Sequence, residues 1–380
     1  MAADKMPITP EVVTWARERL GYSIAELALK SSFGHIAEWE SGRLKPTYRE
    51  LEKLADKLKV PVAVFFFPEP PDFPPIEETF RTLGSEQFNE IPPKIRHLLY
   101  KAQGFQVGLS ELNDGRNPVA RKIVREMHLQ VDEPIHAAAA SVRDFLAVTA
   151  DEQFAWKSDR IALDAWRQAF YGVGIYVFKD AFRDENFCGF SLYDDEFPII
   201  YVNNSNTITR QIFTLFHELA HLIFHTSGVD KYGAFRNALP RDKQRVERSC
   251  NQLAAAILVP VREFEHEWKR SHDLKADAEA LSKRFRVSRE VIYHRFLDMK
   301  LVTQAEYNES AREWSKQRSK KKGGGGDYYR TQISYLGDEY VSLAFRRFYQ
   351  NRIDEEELAD YLNVKPKNLD SLEATFFGER

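Results

Sequence analysis

The residues whose types and spacing could do chemistry are His217, Glu218 and His221, in the run His217-Glu218-Leu219-Ala220-His221. Helix positions four apart lie on one face about one turn apart, so both imidazoles can hold a single cation. Glu218, one residue on, can reach a water held by that cation without ligating it. A catalytic zinc takes three protein ligands and keeps a fourth position for water, so a third donor is required. The run Glu247-Arg248-Ser249-Cys250-Asn251-Gln252-Leu253 supplies a candidate. Glu247 and Asn251 share one helical face, opposite the side that would bury Leu253 and Ile257, and Glu247 would complete a site of two histidines and one glutamate. Cys250 is an alternative soft ligand, expected rather to pack between helices. His225 is an alternative fourth ligand, expected rather outside the ligand set or at the surface. The metal itself is expected to be zinc, one per chain, with manganese or iron(II) as lesser fits to two imidazoles and a carboxylate.

The residues around the motif say where it lies. Ile212, Phe213, Leu215, Phe216, Leu219, Leu222 and Ile223 are apolar on nearly every side, so the helix belongs in a core. An unpaired polar group there costs about 1–3 kcal/mol; a bound metal or a hydrogen-bond network would offset that. Ahead of the motif the hydrophobic period changes. Residues 174–178, 187–192 and 198–203 are short runs rich in β-branched and aromatic residues, and they predict three strands of a small antiparallel sheet. Helices are expected from about Thr207 to His225 and from about Arg241 to Leu258, giving an α+β arrangement.

The wider chain sets the frame. At 380 residues it exceeds what one core usually supports. Hydrophobic residues make up 43% and charged residues 29%, as in an ordinary globular protein. A net charge of -3 and a pI near 6.4 give no global attraction to nucleic acid or to an anionic membrane. With only Cys188 and Cys250 there is no disulfide framework. The first residues lack the apolar core of a signal peptide, and no apolar run approaches the roughly 20 residues of a membrane helix. Secreted, membrane and fibrous classes are thereby excluded, and the cytoplasm is the expected location.

Two composition breaks suggest boundaries. Prolines crowd residues 61–75, where regular structure should stop. Lys321–Gly326 reads as a flexible linker before a small helical tail. The expected modules are 1–68, a proline-rich linker and helical connector over 69–159, the metal-bearing core over 160–262, a helical extension over 263–322, and the hinge and tail over 323–380. Within the extension, Ser288 is expected to cap a helix of a second helix pair, and 312–322 reads as a basic, solvated linker.

The stretch Ile212–His225, followed by E-x-x-C-N-Q-L-A-A-A-I-L-V-P, resembles the ImmA/IrrE family of metallo-endopeptidases, strongly over about Trp166 to Pro260. The resemblance implies a zincin-like α+β domain with His217, His221 and Glu247 as zinc ligands and Glu218 as general base. Cys250 and Leu253 depart from the family pattern, where alanine and phenylalanine are commoner; both are packing positions. Residues 23–61 resemble a Cro/C1-type (XRE) helix-turn-helix, with Leu27, Ala28, Ile36, Trp39, Leu51, Leu54, Ala55 and Leu58 as core and a recognition helix near Phe33–Glu40. This module, a proline-rich segment with Phe80-Arg81-Thr82, and an ImmA/IrrE domain together resemble a family architecture.

The DNA-binding side of that resemblance meets opposing features. Residues 1–70 hold 10 Lys+Arg and 10 Asp+Glu, where a DNA binder is usually basic. The recognition segment offers His35, Glu38 and Glu40 but no arginine or lysine, and the interval from Leu27 to Ile36 is two residues shorter than usual. Ser31, Ser32, His35, Arg43, Lys45 and Arg49 are the candidate DNA contacts. The whole is expected to be multidomain and mostly α, with a small antiparallel sheet. The expected activity is zinc-dependent cleavage of one regulatory protein, a helix-turn-helix repressor or toxin-like partner, in stress response, mobile-element control or toxin–antitoxin regulation. The alternative is a DNA-binding regulator or antitoxin whose zinc domain binds a partner without turnover. Operator DNA is a second expected partner, a homodimer is compatible, and no membrane role is expected. Tyr201, His225 and Tyr232 are the candidates to stabilise an oxyanion.

Overall fold

The computed structural model describes residues 4–72, 91–225, 229–231, 241–318 and 326–378. The chain divides into two compact units, 1–103 and 104–380. In the first, the apolar spacing folds into α1 (Pro10–Arg19), α2 (Ile24–Ala28), α3 (Ile36–Glu40) and α4 (Tyr48–Leu58). Capping boxes start two of them, Ser23 with Glu26 and Thr47 with Glu50, which satisfies backbone donors that helix starts leave open. The expected core residues are buried around Phe33 and Phe65, with Ala28 at the margin. The recognition segment is shorter than expected: a 3-10 turn over Ser31–Phe33 and then the five residues of α3.

In the second unit come α5 (Pro93–Leu112, entering from the first), α6 (Ile123–Glu126), α7 (Ile135–Leu146), α8 (Ala150–Ala155) and α9 (Asp159–Gly172). The sheet follows as β1 (Tyr176–Asp180), β2 (Phe187–Leu192) and β3 (Ile199–Asn203), then α10 (Ile208–Ile223), β4 (Val229–Lys231) and α11 (Arg241–Leu258). The strand order is β1-β3-β2-β4. β3 pairs antiparallel with β2 but parallel with β1, so the sheet is mixed where an all-antiparallel one was expected. The cause lies in β3, whose Ile-Ile-Tyr-Val-Asn is buried throughout. Such a strand takes the middle of the sheet, and the chain from β1 crosses past it to β2.

The pleat divides the sheet into two environments. Phe178, Phe190 and Tyr201 share one face, stacked with Phe105. Val177, Lys179, Gly189, Ser191 and Ile200 share the other, toward which α9 and α10 pack. The rest is helical: α12 (Val261–Glu267), α13 (Leu274–Phe285), α14 (Arg289–Asp298), α15 (Gln304–Arg318), α16 (Tyr328–Leu336), α17 (Asp338–Tyr349), α18 (Glu355–Tyr361) and α19 (Leu369–Phe377). Ser288 caps α14 as expected, accepting from the Val291 amide. The tail joins the core, since Tyr340 of α17 meets Phe178 edge-on at 5.1 Å. No described helix is long and apolar enough to cross a membrane. Phe80-Arg81-Thr82 and Tyr232 lie outside the described residues.

Candidate metal centre

α10 is buried on nearly every side, and His217, Glu218 and His221 are buried with it. α11 lies alongside and brings Glu247 to the two imidazoles. The Nε2 atoms of His217 and His221 are 3.2 Å apart. Glu247 places Oε2 3.4 Å from the first and Oε1 3.2 Å from the second. Among the described residues these three form the group whose donor atoms all lie within 4.8 Å of one another. Two imidazole nitrogens and a carboxylate oxygen converging on one point are a donor set suited to zinc.

The electrostatics agree with a site built for positive charge. Burial favours the neutral Glu247 carboxyl, yet the two histidines hold it far below the usual carboxylate range. Burial likewise opposes a charged His221, and Cys250 and Glu247 beside it still raise its pKa well above the ordinary value. Protons and a divalent cation would therefore compete for the same three groups.

Neighbouring side chains fix the donors. The Nδ1 of His217 is 3.1 Å from Asn251 Oδ1. With Nε2 turned to the donor cluster, Nδ1 carries the hydrogen and the Asn251 carbonyl accepts it, which sets tautomer and ring orientation together. Asn251 was expected on the same face as Glu247, and this is the use made of that face. On the sheet side, Ser191 Oγ donates to Glu218 Oε2 at 2.8 Å. Nothing in the spacing of β2 singled out Ser191; its alternation with Phe190 would have placed it on the opposite face, but not beside Glu218. Gly189 makes room for this contact, because a Cβ there would sit 2.5 Å from Thr214 Cγ2 and 2.8 Å from the Tyr201 carbonyl oxygen. Cys250 is fully buried, as expected for a packing residue, and lies near enough to His221 to act on its charge.

Two oxyanion candidates are placed elsewhere by the fold. Tyr201 points to the aromatic face of the sheet, away from Ser191 and Glu218, with its hydroxyl toward Asp180 at 3.4 Å. The strand pleat therefore removes it from the site. His225 follows α10 with a left-handed backbone (φ 53°) and sets its Nε2 against His128 Nδ1, its ring 5.0 Å from Tyr193. It is not among the three clustered donors.

In the first unit, His35, Arg43, Lys45 and Arg49 are exposed and Ser32 is half-buried, while Ser31 lies in the 3-10 turn. Glu40 turns inward instead. Arg17 donates to it through Nε at 2.6 Å and Nη2 at 2.9 Å, with both side chains more than nine-tenths buried. One of the acidic residues in the recognition segment thus serves the core.

Comparison with known families agrees with this arrangement. Residues 172–297 match the peptidase family described as IrrE N-terminal-like domain, and residues 13–65 match the helix-turn-helix family. The helix-turn-helix segment precedes the peptidase segment along the chain, and the latter supports a metallopeptidase-type domain, whose family implies a divalent metal. Neither the curated proteins nor the solved structures yield a significant match.

Proposed function

We propose that the chain is a zinc-dependent endopeptidase, with His217, His221 and Glu247 as metal ligands and Glu218 as general base. The observation that carries this reading is the convergence of three donor atoms within 4.8 Å from two packed helices, with Glu218 beside them in the sequence and held by Ser191. A bound zinc supplies Lewis acidity, polarising a peptide carbonyl and making a water acidic near neutral pH. Glu218 takes the proton of the attacking water and delivers it to the departing amine. Ser191 keeps the Glu218 carboxylate in place through both transfers, and Asn251 keeps His217 in the ligating tautomer. A protein substrate, specifically a helix-turn-helix repressor or toxin-like partner in a stress, mobile-element or toxin–antitoxin circuit, goes with this reading. So do module limits at 68, 159, 262 and 322, and a cytoplasmic setting.

The test is elemental analysis of the wild type and His217→Ala, purified without chelators or a histidine tag, beside a cleavage assay on Glu218→Gln. About one zinc per chain, lost in His217→Ala and retained in Glu218→Gln without cleavage, is the expected result. Cleavage by Glu218→Gln would remove the mechanism.

A second reading rests on the match over residues 13–65 and on the exposed His35, Arg43, Lys45 and Arg49. In it the protein is a regulator or antitoxin that contacts operator DNA through these residues with Ser31 and Ser32, and the zinc domain binds a partner without turnover. Gel-shift titration of the protein's own upstream DNA should then show binding that weakens steeply with salt. Absent or salt-insensitive binding would exclude it.

A further inference from the structure

Away from the metal centre, the face of α9 that carries Arg160, Asp164 and Arg167 meets the C-terminal helices α16 and α17. These side chains, with Arg330, Ser334 and Asp338, line a cavity of about 410 Å³. Arg167 is its anchor. Only 6% exposed, its guanidinium donates through Nη1 to the Ser334 carbonyl at 3.0 Å and through Nη2 to the Val177 carbonyl at 2.7 Å. Its Nε is buried and has no hydrogen-bond partner among the described residues. Gly337, at φ 89°, lets the start of α17 press against this group, since a Cβ there would sit 2.6 Å from Arg167 Nη2.

Among the described residues, cationic side chains outnumber anionic ones around the cavity. Three arginines and two aspartates line it. Lys179 of β1, within the electrostatic reach of Arg167, Asp164 and Arg160, is only 2% exposed. Neither Lys179 nor Arg167 forms an ion pair among the described residues. Burying cations without a counter-charge is costly, and a fold keeps them when something anionic completes the set. Guanidinium groups present forked donors that match a phosphate or carboxylate edge, and the volume falls in the range of small-ligand sites, roughly 300–1,000 Å³.

We propose that this cavity is a binding site for a phosphate group, carried as the free ion or as a small phosphate monoester, with Arg160 and Arg167 as its principal donors. An adjacent face of α9 meets the metal helix, where Trp166 and Phe170 meet Phe216 edge-on at 4.7 and 5.3 Å. The site therefore sits on the element that braces the residue next to His217, although its occupancy does not depend on a metal being bound.

Calorimetric titration of the full chain with inorganic phosphate, in phosphate-free buffer at fixed ionic strength, tests the proposal. The expected result is one phosphate per chain, weakened on the order of tenfold in Arg160→Ala and more in Arg167→Gln. Arg160 is exposed and makes no structural bond among the described residues, so its variant keeps the comparison valid if Arg167→Gln misfolds. Adenosine monophosphate is then titrated against the phosphate-loaded protein. Displacement identifies a monoester site, and no displacement identifies a site for the free ion. The absence of phosphate binding up to about 10 mM, or equal affinity in wild type and Arg160→Ala, would overturn the proposal.

Discussion

Asn251 accepts a hydrogen bond from Nδ1 of His217 at 3.1 Å, and the two residues come from different helices, α11 and α10. Glu247 sits one turn before Asn251, so a single face of α11 supplies both a donor to the cluster and the group that orients another donor. This pairing predicts that Asn251→Leu keeps the fold but weakens zinc binding about 10–100-fold. Competition with a chromophoric chelator measures it, and Asn251→Asp, which retains the acceptor, should recover most of the affinity. Unchanged affinity in Asn251→Leu would show that the bond does not set the ring.

From the sheet side, Ser191 donates to Glu218 Oε2 at 2.8 Å. Ser191→Ala should leave the zinc content at its wild-type value and lower kcat about tenfold, because the base loses its orienting donor while the ligands are untouched. Loss of metal in this variant would mean instead that the change propagates through α10.

The Gly189→Ala substitution forces a Cβ to 2.5 Å from Thr214 and 2.8 Å from backbone. The sheet and α10 must separate to admit it, and overpacking of this kind costs about 1–3 kcal/mol. Thermal unfolding should register the loss together with lowered zinc affinity, and a variant as stable as wild type would count against the close packing of β2 on α10.

The Arg17–Glu40 pair predicts that Glu40→Ala destabilises the N-terminal module by about 3 kcal/mol, because it strands a buried guanidinium. Chemical denaturation followed by Trp39 or Trp15 fluorescence checks this. A loss under about 0.5 kcal/mol would mean that the pair behaves as a surface one.

Lys179 gives a pH prediction. Burial, with Arg167 and Arg160 nearby, lowers its pKa from 10.5 to about 7. A lysine whose folded pKa lies below its unfolded value binds fewer protons when folded, so it makes stability rise with pH between those values. Its destabilising charge is fully present below about pH 7 and fades toward pH 10.5. In phosphate-free buffer, Lys179→Met should therefore be more stable than wild type at pH 6, by on the order of a few kcal/mol. The difference should shrink as the pH rises through 7–10. A constant difference across that range would mean that Lys179 stays charged throughout.

Much of the centre was legible before folding. The i, i+4 histidines lie on one helical face by the geometry of the helix alone, and so do Glu247 and Asn251. The apolar flanks of 212–223 required burial, and the spacing of Leu27, Ile36, Trp39, Leu51, Leu54 and Leu58 defined the N-terminal core. These are local facts, fixed by a period of 3.6 residues and by the aversion of apolar side chains to water. What the sequence could not carry was every relation across elements. That β3 enters the middle of the sheet and runs parallel to β1, that the pleat sends Tyr201 away from Glu218 and Ser191 toward it, and that Glu40 turns inward to Arg17 all depend on which surfaces meet in three dimensions. The same holds for the arginine-lined cavity beneath the C-terminal helices, since α9 and α16 are separated by more than a hundred residues and only packing makes them neighbours. Local periodicity decided which side chains share a face, and tertiary packing decided what each face looks at.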